Sequence, residues 1–202
     1  KTKSQVALLK RDKNIKSLED ALRQNIKSID NMNKVIESIL EFGRAEGAQF
    51  TQSEEIDLIK FIEEIVDEFK LLGESKEITI KKHLHPKSLQ IKIQPLLIRQ
   101  IIQNFLQNAI RFTPPKKQIV VSSYIKDDNF ILKIRDEGEG IEEGIDLFAP
   151  FKRSKNSPGT GLGLFLVKSA ADSIGGKVFI NNRKDGKSGA VATFILPLNK
   201  NI

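Results

Sequence analysis

Apolar residues recur along this chain with two different periods, and the change between them divides it. Over residues 14–43, Ile15, Leu18, Leu22, Asn25, Ile29, Met32, Ile36, Ile39 and Gly43 follow a 3–4–3–4 spacing, a heptad seam with one polar interruption at Asn25. The spacing predicts one long amphipathic helix. Before it, Gln5 to Leu9 read as the end of another helix, and Arg11-Asp12-Lys13-Asn14 as a tight connection. Such a hairpin either dimerises into a four-helix bundle or packs as a pair on its own domain. The stripe runs for about four heptads with few outward apolar residues, which favours the bundle.

After Gly43 and Gly47 a second helix is expected from about Glu54 to Leu72. Ile56, Ile59, Ile62, Ile65, Val66 and Phe69 share one face, and Ser53 is the expected N-cap with Glu54 and Glu55 in the first turn. The period then drops to two. Ile78–Ile80 and Leu89–Ile93 read as strands, and Leu96–Phe112 reads as a helix stopped by Pro114-Pro115. Strands follow at Gln118–Ile125 and Asn129–Arg135, joined by the turn-like Lys126-Asp127-Asp128. Residues 137–160 carry no period. A helix from Gly161 to Ile174 ends at Gly175-Gly176, and strands Lys177–Asn182 and Ala190–Leu196 close the chain. The order predicts an α+β protein: a helical stalk over residues 1–48, then, over 49–202, one mixed sheet covered on one face by helices.

Composition narrows the function. The 202 residues are 39% hydrophobic and 29% charged, ordinary for a protein that works in water. There is no cysteine, which excludes disulfides and thiolate metal sites and fits a reducing cytoplasm. No apolar run is long enough to span a membrane, so any membrane attachment is expected through segments outside this chain. The formal net charge is +7, but the lysines are dispersed, there is no Trp and Tyr124 is the sole tyrosine; no nucleic-acid partner is expected.

Three polar features carry candidate chemistry. On the helix containing NFLQNAIRFT, Ile98, Ile102, Phe105, Leu106, Ala109 and Ile110 fall on one side, and Gln100, Asn104, Gln107, Asn108 and Arg111 line the other. Two amides one turn apart with an arginine beyond them suit a hard cation and a phosphate, though such a stripe is also what a solvated face looks like. Asp136 follows Phe130, Leu132 and Ile134 on the same strand face, so either the strand has ended or a carboxylate enters the apolar layer and requires a donor. Glu137-Gly138-Glu139-Gly140 would let the backbone turn and a ligand approach, and would equally serve a plain turn. Finally Gly159-Thr160-Gly161-Leu162-Gly163-Leu164 opens a helix, where backbone amides and the helix dipole favour an anion. It lacks the lysine of a P-loop, and alone it is a weak signal.

In this order the three features resemble the catalytic domain of bacterial sensor histidine kinases. NFLQNAIRFT is similar to that family's N box, DEGEGI to its first glycine box, LFAPF to its phenylalanine box and GTGLGL to its second glycine box. IGGKVFINN and ATFILPL resemble its last strands, and SILEFGRAEG the end of its second stalk helix. The resemblance implies a two-layer α/β sandwich of the Bergerat type, shared with gyrase, Hsp90 and MutL, and ATP with Mg²⁺ as ligands. It implies that Asn108 holds Mg²⁺ and that Asn104 lies beside the phosphates, with Arg111 where the family has a phosphate-contacting lysine. Phe112 would pack on adenine and Asp136 would take its amino group, with Gly138 and Gly140 giving room for the base. Gly159, Gly161 and Gly163, with Thr160, Leu162 and Leu164 of the same box, would line the phosphates. Lys152 and Arg153 would reach the γ-phosphate from a lid anchored by Phe148 and Phe151.

The implied activity is an ATP-dependent histidine kinase, homodimeric through its stalk and cytoplasmic, that passes phosphate to the receiver domain of a response regulator. Related hydrolases carry a Glu at the place of Asn104. A neutral amide cannot take a proton from water, so transfer to another nucleophile is expected and hydrolysis should be slow. His83 and His85, the two histidines present, lie in or beside a strand and match no stalk phosphoacceptor; its expected position is upstream of Lys1. Gln94 stands where an acidic residue is common, and the segment between Gly140 and Gly159 is short for the family's lid. A nucleotide-binding regulatory module on a dimerising stalk, without phosphotransfer, is the alternative reading.

Overall fold

The computed structural model describes residues 52–142, 144–151 and 161–198. The expected stalk and its dimer seam lie outside the described residues. The elements run β1 (Glu54–Asp57), α1 (Leu58–Glu74), β2 (Thr79–Leu84), β3 (Gln90–Ile93), α2 (Pro95–Phe112), β4 (Gln118–Lys126), β5 (Asn129–Arg135), α3 (Gly163–Ser173), β6 (Lys177–Asn182) and β7 (Ala190–Pro197). Five strands form one sheet in the order β2-β4-β5-β7-β6. β2 pairs parallel with β4, and every other pair in that sheet is antiparallel. β1 and β3 form a separate antiparallel ribbon.

Alternation along the strands sets which face is covered. Phe130, Leu132 and Ile134 of β5 are buried, as are Ile119 and Val121 of β4 and Phe194 and Leu196 of β7. They pack in one apolar cluster with Ile62, Ile65 and Val66 of α1, Ile98, Ile102 and Phe105 of α2, and Val167 and Ala171 of α3. Each such side chain withdrawn from water contributes about 1.5–3 kcal/mol. The opposite strand face carries half-buried polar residues, with the Lys133 ammonium 5.3 Å from the Tyr124 ring centre. The result is two layers, helices on one face of a mixed sheet.

Two helix expectations require correction. Residues 54–57, expected as the first helical turn, are strand β1, with Ile56 opposite Ile91 and Asp57 opposite Gln90. Ser53 is therefore not the cap; Asp57 is, its Oδ1 accepting from the backbone N–H of Ile59 at 3.1 Å and Lys60 at 3.4 Å. The same oxygen accepts from Leu89 N–H, and Oδ2 from the Ser88 hydroxyl at 2.7 Å, so one carboxylate ties the helix start to the segment before β3. Likewise α3 begins at Gly163, two residues after the expected start at Gly161, whose φ of 75° is left-handed.

α2 matches its pattern closely. Pro95 occupies the first turn, where its missing N–H costs nothing. At the other end Thr113 leaves the helical conformation, and its backbone N–H and Oγ1 both donate to the Ala109 carbonyl. The β4–β5 turn is made by Asp127 and Asp128, with φ of 49° and 55°. Two consecutive left-handed residues give the turn whose twist matches a two-residue hairpin.

Candidate functional site

The site is built where β5 leaves the sheet. Arg135 is the last paired residue, opposite Val191. At the next position the main-chain N–H of Asp136 still donates to the Ala190 carbonyl at 3.0 Å, but the reciprocal bond is altered. Ala190 N–H donates to the Asp136 side-chain Oδ1, also at 3.0 Å, instead of to the Asp136 carbonyl. Oδ1 takes a second backbone donor, Gly138 N–H at 2.9 Å. The carboxylate is thus held inward, 8% exposed, with Oδ1 saturated and Oδ2 left for a further donor. Burial pushes the Asp136 carboxyl above its usual range, opposed by the two backbone donors and by the Arg183 charge.

The chain after Asp136 is pinned on several sides. A Cβ at Gly138 would meet the Phe112 carbonyl oxygen at 2.6 Å, so this glycine lets the loop lie against the end of α2. The Ser188 hydroxyl donates to the Gly138 carbonyl at 2.6 Å. Gly140 has φ of 89° and faces the Asn182 amide oxygen, which would sit 2.6 Å from any Cβ there. Glu137 turns aside and accepts from Gln118 N–H at the start of β4.

The second wall is the polar stripe of α2. Asn104 is half-buried; its Nδ2 donates back to the Gln100 carbonyl at 2.9 Å and its Oδ1 faces Gly163, where a Cβ would lie 2.6 Å away. The first asparagine of the N box and the last glycine of the second glycine box are therefore in contact. Asn108 is half-buried one turn on; Arg111 lies at the surface with its guanidinium carbon 5.8 Å from the Phe112 ring centre. Phe112 is 44% exposed beside the glycine loop. No side chain caps the start of α3, the end at which the helix dipole favours negative charge.

The remaining expected site residues divide. Leu162 is buried, and Leu164 is half-buried against the core, so both anchor the start of α3. Gly161 accepts from Phe151 N–H at 3.0 Å. Phe148 packs against the core edge, its N–H donating to Asp146 Oδ1, whereas Phe151 is 64% exposed with a φ of 61°. Lys152, Arg153, Gly159 and Thr160 lie outside the described residues. His83 and His85 are both exposed, at or just after the end of β2. Sequence reasoning did not single out Asn182, Arg183, Ser188 or Gly189, all of which touch the glycine loop. The glycines at 186 and 189 beside a polar strand end were the available signal.

These elements fit a purine nucleotide: a buried carboxylate with an open oxygen, an exposed aromatic beside it, and amides leading to a helix N-terminus. Residues 93–200 match the family model described as histidine kinase-, DNA gyrase B- and HSP90-like ATPase. The chain belongs to this family. Its relatives include the sensor histidine kinase HprS of Escherichia coli, 30% identical over 173 residues, covering 83% of this chain and 38% of that protein. The sensor protein kinase PmrB of Pseudomonas aeruginosa is 27% identical over 201 residues, covering 96% of this chain and 41% of that one. Among solved structures, the catalytic domain of histidine kinase ThkA superposes with a TM-score of 0.65 at 27% identity, over 72% of this chain and 95% of that one. The chain thus spans about two fifths of the length of each of these two curated relatives. Among the described residues no helix is long and apolar enough to cross a membrane.

Proposed function

We propose that this chain is the catalytic portion of a two-component sensor histidine kinase. It binds Mg-ATP and transfers the γ-phosphoryl group to a stalk histidine, from which phosphate passes to an aspartate on a response regulator. The observation that carries the reading is Asp136, whose Oδ1 is saturated by two backbone donors while Oδ2 can accept from an adenine amino group. The names of the relatives supply the reaction class, and the contact of Asn104 with Gly163 supports a continuous track from base to phosphates.

In this reading Asp136 fixes the base, Phe112 covers it, and Gly138 and Gly140 keep the loop low enough for it to enter. The phosphates run toward the start of α3. Mg²⁺ would draw on the Asn108 amide oxygen, a hard ligand, together with phosphate oxygens. When bound, the metal neutralises phosphate charge during transfer. Arg111, and Lys152 and Arg153 on the segment before the second glycine box, would add positive charge at the phosphates. Asn104, a neutral amide hydrogen-bonded to its own helix, is no base for water, so the bound nucleotide awaits another nucleophile. The protein acts as a homodimer through its stalk, on the cytoplasmic side.

The test is incubation of the chain, extended upstream to include the stalk histidine, with γ-labelled ATP and Mg²⁺. Acid-labile, base-stable label that is absent from Asp136→Asn supports a histidine autokinase. Intact nucleotide binding with no label refutes it in favour of a regulatory nucleotide-binding module. Asn108→Ala should weaken Mg²⁺-dependent binding more than metal-free binding; equal loss in both would remove Asn108 from the metal site.

A further inference from the structure

Two adjacent residues at the end of β6 hold both ends of the glycine loop. Asn182 grips the far end with both halves of its amide: Ile141 N–H donates to Oδ1 at 2.7 Å, and Nδ2 donates to the Ile141 carbonyl at 3.0 Å. This pairing reproduces a stretch of β ladder with a side chain in place of a strand. Arg183 grips the near end. Its Nη1 donates to the Asp136 main-chain carbonyl at 3.3 Å and lies 3.6 Å from Glu137 Oε1. Asp185 fixes the guanidinium from behind, accepting from Nε at 3.0 Å and Nη2 at 2.6 Å. The Arg183 side chain is only 3% exposed.

The Arg183 contact explains how the carboxylate turns inward. Once Ala190 N–H bonds to Asp136 Oδ1, the Asp136 carbonyl has lost its ladder partner. A buried carbonyl without a donor is costly, and Arg183 supplies one. Gly189 leaves the space: with φ of 128°, a Cβ there would meet both the Asp136 carbonyl oxygen and Arg183 Cδ at impossibly short range. Arg183 N–H in turn donates to the Gly189 carbonyl at 3.0 Å. Asn182, Arg183 and Gly189 therefore form one clasp around residues 136–141.

We propose that Asn182 and Arg183 are positioning residues that give the site its preference for adenine, by holding the glycine loop at both ends so that the Asp136 carboxylate meets the base at a fixed distance and angle. The inference rests on the nucleotide reading above and deepens it. Neither side chain need touch the nucleotide. Loosening the clasp lets the carboxylate swing, and what is lost first is the directional bond to an amino group. A base that makes no such bond loses nothing.

The experiment compares ADP with inosine diphosphate, in which a carbonyl replaces the amino group, by titration calorimetry on the 202-residue chain. Asn182→Ala should weaken ADP binding about tenfold and leave inosine diphosphate within about twofold, collapsing the preference; tenfold is one well-directed hydrogen bond. Asn182→Ser, which keeps a small donor and acceptor, should recover part of the preference. Arg183→Gln should act in the same direction; should it fail to fold, the two Asn182 variants decide the matter. A folded Asn182→Ala chain with an unchanged preference, or with both nucleotides weakened equally, overturns the inference. A parent chain that binds neither nucleotide overturns the nucleotide reading and the inference with it, whereas a parent that prefers ADP isolates the clasp as the part on trial.

Discussion

Replacing Gly138 with alanine should damage stability and nucleotide binding together, and the size of the effect follows from the geometry. The added Cβ would lie 2.6 Å from the Phe112 carbonyl oxygen and 3.1 Å from both the Phe112 carbonyl carbon and Asp136 Oδ1. Relief needs a shift of several tenths of an ångström, and neither side yields easily. The Phe112 carbonyl sits at the end of α2, locked by the Thr113 bonds to Ala109. The Gly138 backbone is held by Asp136 Oδ1 and Ser188 Oγ. Overpacking of this kind costs about 1–3 kcal/mol. Pulling the Gly138 N–H off Oδ1 would add about 1 kcal/mol for a lost hydrogen bond. We expect about 2–4 kcal/mol in urea unfolding followed by circular dichroism, with the slope unchanged. Gly186→Ala is the control: it has a left-handed φ of 75° and nothing within 4 Å, so it meets conformational strain alone, roughly 1 kcal/mol. A Gly138→Ala midpoint that moves no further than the control's would refute the close approach of loop and helix.

Three further outcomes follow. Asp136→Asn replaces an acceptor oxygen with an amide and should lower ADP affinity by at least tenfold, read by calorimetry, while inosine diphosphate binding is less affected. Gln94→Asp should raise stability by about 0.5–1 kcal/mol in urea unfolding, because Gln94 is the N-cap of α2, has extended φ and ψ, and makes no side-chain capping bond. Asp57→Ala should cost about 1–3 kcal/mol at neutral pH and also flatten the acid limb of the stability curve. Burial alone would raise the Asp57 carboxyl, but hydrogen bonds from Ser88 and from the backbone of Leu89, Lys60 and Ile59 outweigh it and hold the carboxyl below 3.8. Its contribution is therefore present above pH 3.8 and fades as pH falls through the lower folded value, a slope the Ala variant should lack.

Local order was legible wherever period and chemistry agreed. α2 could be read because an apolar face of Ile98, Ile102, Phe105 and Leu106 and the Pro114 stop specify one helix, which the structure begins one residue earlier, at Pro95. The residues of β5 could be read because Phe130, Leu132 and Ile134 alternate, but the same alternation left Asp136 open between a strand end and an inward carboxylate, and only the bond from Ala190 N–H to its side chain decides for the second. β1 could not. Ile56 is in phase with Ile59 and Ile62, so a helical continuation is the better local reading, and only pairing with β3 some 35 residues away decides otherwise. Such pairing also makes Asp57 rather than Ser53 the cap, since strand and cap meet at one residue. β2 was read short for a related reason: its outward Lys81 and His83 hide a strand whose register comes from the parallel neighbour β4.

The hidden half of the site has the same origin. Asp136 and Ala190 are 54 positions apart, and nothing near either residue in sequence reveals that one completes the other's hydrogen bonds. The clasp residues are polar, sit at a strand end and have no period, so they read as a solvated turn. What distinguishes them is three-dimensional accounting: once a side chain enters the β5–β7 ladder, a main-chain carbonyl is displaced and must find a donor. Arg183 is that donor, and its near-complete burial follows from the task rather than from any apolar character of its own. A motif such as DEGEGI marks where the backbone bends toward a ligand. The residues that keep it bent belong to whichever strand the fold lays beside it, here the end of β6.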